Sequence, residues 1–101
     1  MILLVEDAVV CGFLRTALTR MGHQAFWASP ADGRRLLQEN PAINLLITNA
    51  PQRFSEFGDV PVLYLAACPD PNAVGAFRRK VILRKPFTPV QLSEALRQLL
   101  P

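Results

Sequence analysis

Residues 2 to 7 read Ile2-Leu3-Leu4-Val5-Glu6-Asp7, and this stretch decides the fold class. Four apolar residues in a row, without polar alternation, suit a strand buried on both faces. Two acids follow at once, and beyond them Val10, Phe13, Leu14, Ala17, Leu18 and Met21 recur at steps of three and four. That period gathers them on one face of a helix, and Gly22 is a natural stop for it.

Working outward, the same alternation repeats. Gln24 to Ala28 reads as a second strand, and Ser29-Pro30-Ala31-Asp32 opens a second helix with Ser29 as N-cap. Leu36 and Leu37 give that helix its buried edge, and Asn40-Pro41 ends it. Ile43 to Thr48 is a third strand and Val60 to Leu65 a fourth, with a loop from Ala50 to Asp59 between them. After the turn Pro69-Asp70-Pro71-Asn72, a short helix is expected over about Ala73 to Arg79, and Val81 to Leu83 is a brief fifth strand. Thr88-Pro89-Val90-Gln91 supplies a capping box for a last helix, striped by Leu92, Leu96, Leu99 and Leu100. Strands alternating with helices predict a parallel sheet wound on both faces, one domain spanning residues 1–101.

Composition narrows the function classes. Half of the 101 residues are apolar and 19% are charged, which excludes a disordered tail. No apolar run approaches the roughly 20 residues that a membrane span requires. The first residues do not read as a signal peptide, because no basic region precedes the apolar run. Cys11 and Cys68 are too few for a disulfide scaffold and are expected to be half-buried thiols in a reducing cytoplasm. A net charge of +3 permits an acidic partner but does not argue for nucleic acid.

In doubly wound sheets, ligands sit at the carboxyl ends of the strands. Those positions hold Glu6 and Asp7, then Asn49, then Ala66, then Lys85-Pro86-Phe87. With Asn44-Leu45-Leu46-Ile47-Thr48-Asn49 as the third strand and Lys85-Pro86-Phe87-Thr88 before the last helix, the chain resembles the receiver domain of response regulators. The resemblance implies a flavodoxin-like fold with a five-stranded parallel sheet of order 2-1-3-4-5. It also implies a role in phosphorelay signal transduction, here as a stand-alone module. In that family an acid pair holds Mg²⁺, and an aspartate ending the third strand accepts a phosphoryl group. A hydroxyl residue ending the fourth strand and a lysine ending the fifth bind its oxygens. A carboxylate is the nucleophile, and metal and lysine neutralise the charge that develops.

The sequence departs from the pattern where the chemistry lies. Asn49 stands in the acceptor position, and a neutral amide cannot form an acyl phosphate. Ala66 replaces the hydroxyl, and Ile82 stands where the family carries an aromatic switch residue. Glu6, Asp7 and Lys85 then sum to a formal −1 instead of −2, so Mg²⁺ affinity should be weak at the Glu6–Asp7 pair. Asn49 could accept from Lys85 and donate to Asp7 or Glu6, giving a closed polar cluster that needs no metal. Thr48 should point away from the site and is a poor substitute acceptor.

Two further features concern surfaces. Only Ala50 to Asp59 stands where the family places a full helix, so that helix is expected to be missing or reduced to one turn. Phe54 and Phe57 then either cover the exposed sheet face or form a patch for a partner. Arg78, Arg79, Lys80, Arg84 and Lys85 place five cations in eight residues. Lys85 should point into the site, while the other four are a solvated helix end or a face for a partner. His23, Trp27 and Tyr64 carry no chemical signal, and no phosphate loop, nucleophile elbow or metal-ligand spacing suggests an enzyme. The expected role is therefore binding: an adaptor for a histidine kinase or another regulator, or a homodimer. The alternative is capture of an anionic messenger such as a cyclic dinucleotide by the basic region.

Overall fold

The strand that opens the chain, β1 (Ile2–Val5), lies inside the sheet in the computed structural model, which describes residues 1–101. It is followed by α1 (Ala8–Arg20), β2 (Ala25–Trp27), α2 (Pro30–Glu39) and β3 (Leu45–Thr48). A 3₁₀ segment at Pro51–Phe57 leads to β4 (Val62–Ala66), and a 3₁₀ turn at Pro71–Val74 leads to β5 (Lys80–Arg84) and α3 (Pro89–Leu99). The strands are all parallel in the order β2-β1-β3-β4-β5, as the resemblance implies. Every residue of β1 and β3 is buried, which is why both read as unbroken apolar runs. No helix is long and apolar enough to cross a membrane.

The helix starts follow from their caps. Ser29 accepts from the amide of Asp32 at 3.2 Å with Pro30 at the first turn. At α3, Thr88 accepts from the Gln91 amide at 3.1 Å, and the Gln91 side chain accepts from the Thr88 amide at 2.8 Å. Gly22 takes the left-handed conformation (φ 89°) that ends α1, where a side chain would strain the backbone.

The helix expected over Ala73 to Arg79 does not form. Gly75 interrupts the expected helix, and the segment manages a single 3₁₀ turn before Phe77 enters the core. Three α-helices flank the sheet instead of the expected four. The segment between β3 and β4 is reduced, as the short spacing requires, and kinks at Phe54 (φ −123°, ψ 25°).

The two faces of the sheet are consequently covered by different means. On one, Ile2, Leu4, Leu45, Ile47, Leu63 and Leu65 meet α1 and α3. On the other, Leu3, Val5, Leu46, Val62 and Tyr64 meet Phe54, Val74 and Phe77, with the half-buried side chains of Leu36 and Leu37 beside them. Phe54 is fully buried and Phe57 half-buried, so the first plugs the place of a helix and neither forms an outer patch. Close backbone approach completes this face. A Cβ on Gly33 would stand 3.0 Å from Val5 Cγ2, and one on Gly58 only 2.2 Å from the carbonyl oxygen of Ala76. The Arg78 amide donates to Gly58 O at 3.1 Å, which ties the two short segments together.

Phe54→Ala should therefore destabilise the protein by about 3–5 kcal/mol, as for other fully buried phenylalanines, and Phe57→Ala by clearly less. Gly58→Ala should cost about 1–3 kcal/mol, because backbone and not a pliable side chain must move. Urea unfolding of the three variants checks both.

Candidate functional site

The carboxyl ends of β1, β3 and β5 bring Glu6, Asn49 and Lys85 to one end of the sheet. Val5 is in register with Thr48, so Glu6 and Asn49 each follow the last pair of adjacent strands. Lys85 follows β5, held by its amide, which donates to Ala66 O at 2.9 Å. The peptide between Lys85 and Pro86 is cis.

One ion pair dominates the site. Lys85 Nζ lies 2.9 Å from Glu6 Oε2, with the Glu6 side chain fully buried and that of Lys85 26% exposed. Glu6 Oε1 accepts from the amide of Asp7 at 3.0 Å, whereas Oε2 is buried with no aligned hydrogen-bond donor. The lysine charge is thus what compensates the carboxylate.

The closed cluster of Lys85, Asn49 and Asp7 expected from the sequence does not form. Asp7 is the N-cap of α1, its Oδ1 accepting from the amide of Val10 at 3.0 Å. An acid directly before a helical period is a cap signal, and that local demand turns Asp7 away from the lysine. Asn49 is exposed, and its side chain bonds neither Lys85 nor the acids. Thr48 is fully buried and its hydroxyl accepts from the Ala50 amide at 3.1 Å, so it is not free to act as an acceptor of phosphate.

The side chains at this end of the sheet do not converge as a set of carboxylate ligands. An orphaned carboxylate oxygen is what a cation would satisfy, but the Lys85 ammonium already stands at Glu6 Oε2. Mg²⁺ requires near-octahedral oxygen ligands, and no group of three or more Asp, Glu, His or Cys side chains converges anywhere in the protein.

Ala66 ends β4 opposite Arg84, and Ile82 lies in β5 opposite Tyr64, with 36% of its surface exposed. The basic run is dispersed. Arg78 pairs with Asp59 at 3.3 Å on the open surface, and Arg79 donates to Leu99 O at 2.6 Å. Only Lys80 and Arg84 share a face, that of β5. Arg78, Arg79, Lys80 and Arg84 therefore do not converge on one anion.

Sequence periodicity misplaced one aromatic. Phe13, put on the buried stripe of α1, is 46% exposed and meets Phe87 edge-on with ring centroids 5.9 Å apart. With Val9, Pro86 and Ala67 they line an apolar groove that reaches Lys85. Only the packing of the β5–α3 connection against α1 creates this groove. Trp27, at the end of β2, is 49% exposed with the Arg15 guanidinium 5.4 Å from its ring centroid.

The topology has clear structural counterparts. A response regulator receiver protein of Sinorhizobium medicae WSM419 superposes with a TM-score of 0.78 at 23% identity, covering 98% of this chain and 91% of that one. The chemotaxis protein CheY4 of Vibrio cholerae gives a TM-score of 0.80 at 19% identity over 98% of both chains. This chain has the receiver fold. The receiver domain of the sensor histidine kinase PA1611 from Pseudomonas aeruginosa PAO1 gives a TM-score of 0.75 at 19% identity over 97% of this chain and 95% of that one. Its structure has a magnesium ion coordinated in the active-site cleft. No protein-family model and no curated relative matches the sequence. In this chain the lysine that follows β5 and the buried acid that follows β1 are joined directly to each other.

Lys85→Met should destabilise the protein by about 3 kcal/mol, because it strands a buried carboxylate, and Glu6→Gln in the same chain should return much of the loss. A neutral Lys85→Met in equilibrium unfolding would remove the ion pair from its structural role. Burial pushes the Cys11 thiol up, with its Sγ 3.4 Å from the Glu6 carbonyl oxygen that accepts from it. Iodoacetamide at neutral pH should thus alkylate exposed Cys68 and leave Cys11 untouched, as peptide mass mapping would read.

Proposed function

We propose that this chain is a receiver-type module of two-component signalling that acts in the cytoplasm by binding a protein partner and does not carry a phosphoryl group. The observation that carries the reading is Asn49, an exposed amide at the end of β3, in the place where phosphotransfer needs a carboxylate. An amide oxygen is too weak a nucleophile toward phosphorus to form the acyl phosphate. The charges that would assist transfer also serve each other, Lys85 compensating Glu6 and Asp7 capping α1. Ala66 offers no hydroxyl with which a phosphoryl group could be sensed.

What remains is a preformed surface. The groove of Val9, Phe13, Pro86 and Phe87 lies beside the Glu6–Lys85 pair, and its phenylalanines are held by one another. Exposed apolar surface of this kind favours a protein partner, and the partner class that fits the fold is a histidine kinase or another regulator. Binding does not wait on metal or phosphate, so affinity should be the same with and without Mg²⁺.

The decisive experiment is incubation of the purified protein with acetyl phosphate and Mg²⁺, followed by intact mass measurement. The expected outcome is no mass change, and an acid-labile gain of one phosphoryl group would overturn the reading. Asn49→Asp adds the absent carboxylate beside Glu6, and its unfolding midpoint should become Mg²⁺-dependent while that of the parent protein does not.

A further inference from the structure

We infer that the free edge of β5 is a docking site for an extended acidic peptide segment, which would add to the sheet as a sixth strand. β5 is a terminal strand with β4 as its one neighbour. Val62 donates to Arg79 O and Lys85 donates to Ala66 O, which fixes the phase of the ladder. Main-chain groups alternate in direction along a strand, so Val81 and Leu83 face β4 and Lys80, Ile82 and Arg84 turn their N–H and C=O groups to the open edge. A long strand with unpaired main chain is a template for another strand.

Both flanks of this edge are shaped. On one side chain face stand Lys80, Ile82 and Arg84, all exposed, because the single 3₁₀ turn at Pro71–Val74 ends over β4 and covers nothing beyond it. Lys80 has no acidic partner, and Arg84 donates from Nε to Ala67 O at 3.2 Å. On the opposite face, half-buried Val81 and Leu83 border a groove against α3, whose lining includes Val90 and Ala95. An added strand would place acids opposite Lys80 and Arg84 and an apolar residue opposite Ile82. Its intervening residues would enter the α3 groove, where apolar side chains fit.

Charge decides the occupant. A second copy pairing through a twofold axis at Ile82 would set Lys80 opposite Arg84 twice, and like charges directly across a ladder are destabilising. The same cations attract carboxylates at those positions, so the edge excludes itself and accepts an acidic segment. This docking mode is independent of whether Asn49 can be phosphorylated.

The test uses the full chain and the capped peptide Gly-Asp-Val-Ile-Val-Asp-Gly, with a control in which lysine replaces both aspartates. Amide hydrogen exchange and ¹H–¹⁵N spectra are recorded for each mixture. The acidic peptide should slow exchange at Lys80, Ile82 and Arg84, and the basic control should not. Lys80→Glu with Arg84→Glu should weaken the acidic peptide about tenfold and admit the basic one, as reversal of two cross-strand charge pairs requires. Three outcomes would overturn the inference: equal binding of the two peptides, binding without protection of those amides, or protection of the same amides by self-association of the chain alone.

Discussion

A parallel sheet has to be covered on both faces, and this chain meets that demand with three α-helices. α1 and α3 shield one face in the ordinary way. The other has α2 and two short 3₁₀ segments, so single large side chains do work that helices usually do. Phe54 and Phe77 are fully or almost fully buried there, each delivered by a segment too short to be a helix. Gly58 is required because the two segments pack backbone against backbone, and Gly33 because α2 comes down onto Val5. These residues are the consequence of one shortage, that of covering mass.

The same economy leaves the ends of the strands unchanged, which is why a site-like constellation survives. Strand ends are placed by the ladder, not by the crossovers, so Glu6, Asn49 and Lys85 arrive together although the connections between them are reduced. Once there, electrostatics determines the pairing. A fully buried carboxylate needs a counter-charge, and Lys85 is the cation within reach. Asn49 carries no charge and is not drawn in. The pair thus holds the end of β1 to the end of β5 across the sheet, beneath the groove formed by Phe13 and Phe87.

Reduced cover also exposes surface. With nothing beyond Phe77 on its face, Ile82 stands partly in solvent between two cations, and β5 keeps an open main-chain edge. The charges on that edge limit association with itself, a common protection for terminal strands, and at the same time give the edge a sign.

Helix starts and the reduced segment after β3 were legible in the sequence because they follow from local terms, namely unbroken apolar runs, caps, prolines and spacing, whereas the strand order was expected only from the resemblance to receiver domains. The absence of a carboxylate at Asn49 and of a hydroxyl at Ala66 was equally plain, since residue type alone settles it. The helix expected after Asn72 failed because the burial of Phe77 and the glycine at position 75 outweighed the helical propensity of the residues around them. Periodicity could not tell that Phe13 faces a groove, because the turn of α1 that holds it meets the β5–α3 connection and not the sheet. Nor could charge spacing tell that Lys85 pairs with Glu6 while Asp7 caps a helix and Arg78 and Arg79 take separate partners. Such choices depend on distances between strands remote in the chain. The sequence by itself determined most of the strands and helices and which side chains stand at the strand ends; only the tertiary structure decided which charges meet and which faces stay open, because pairing and exposure are set by three-dimensional neighbours.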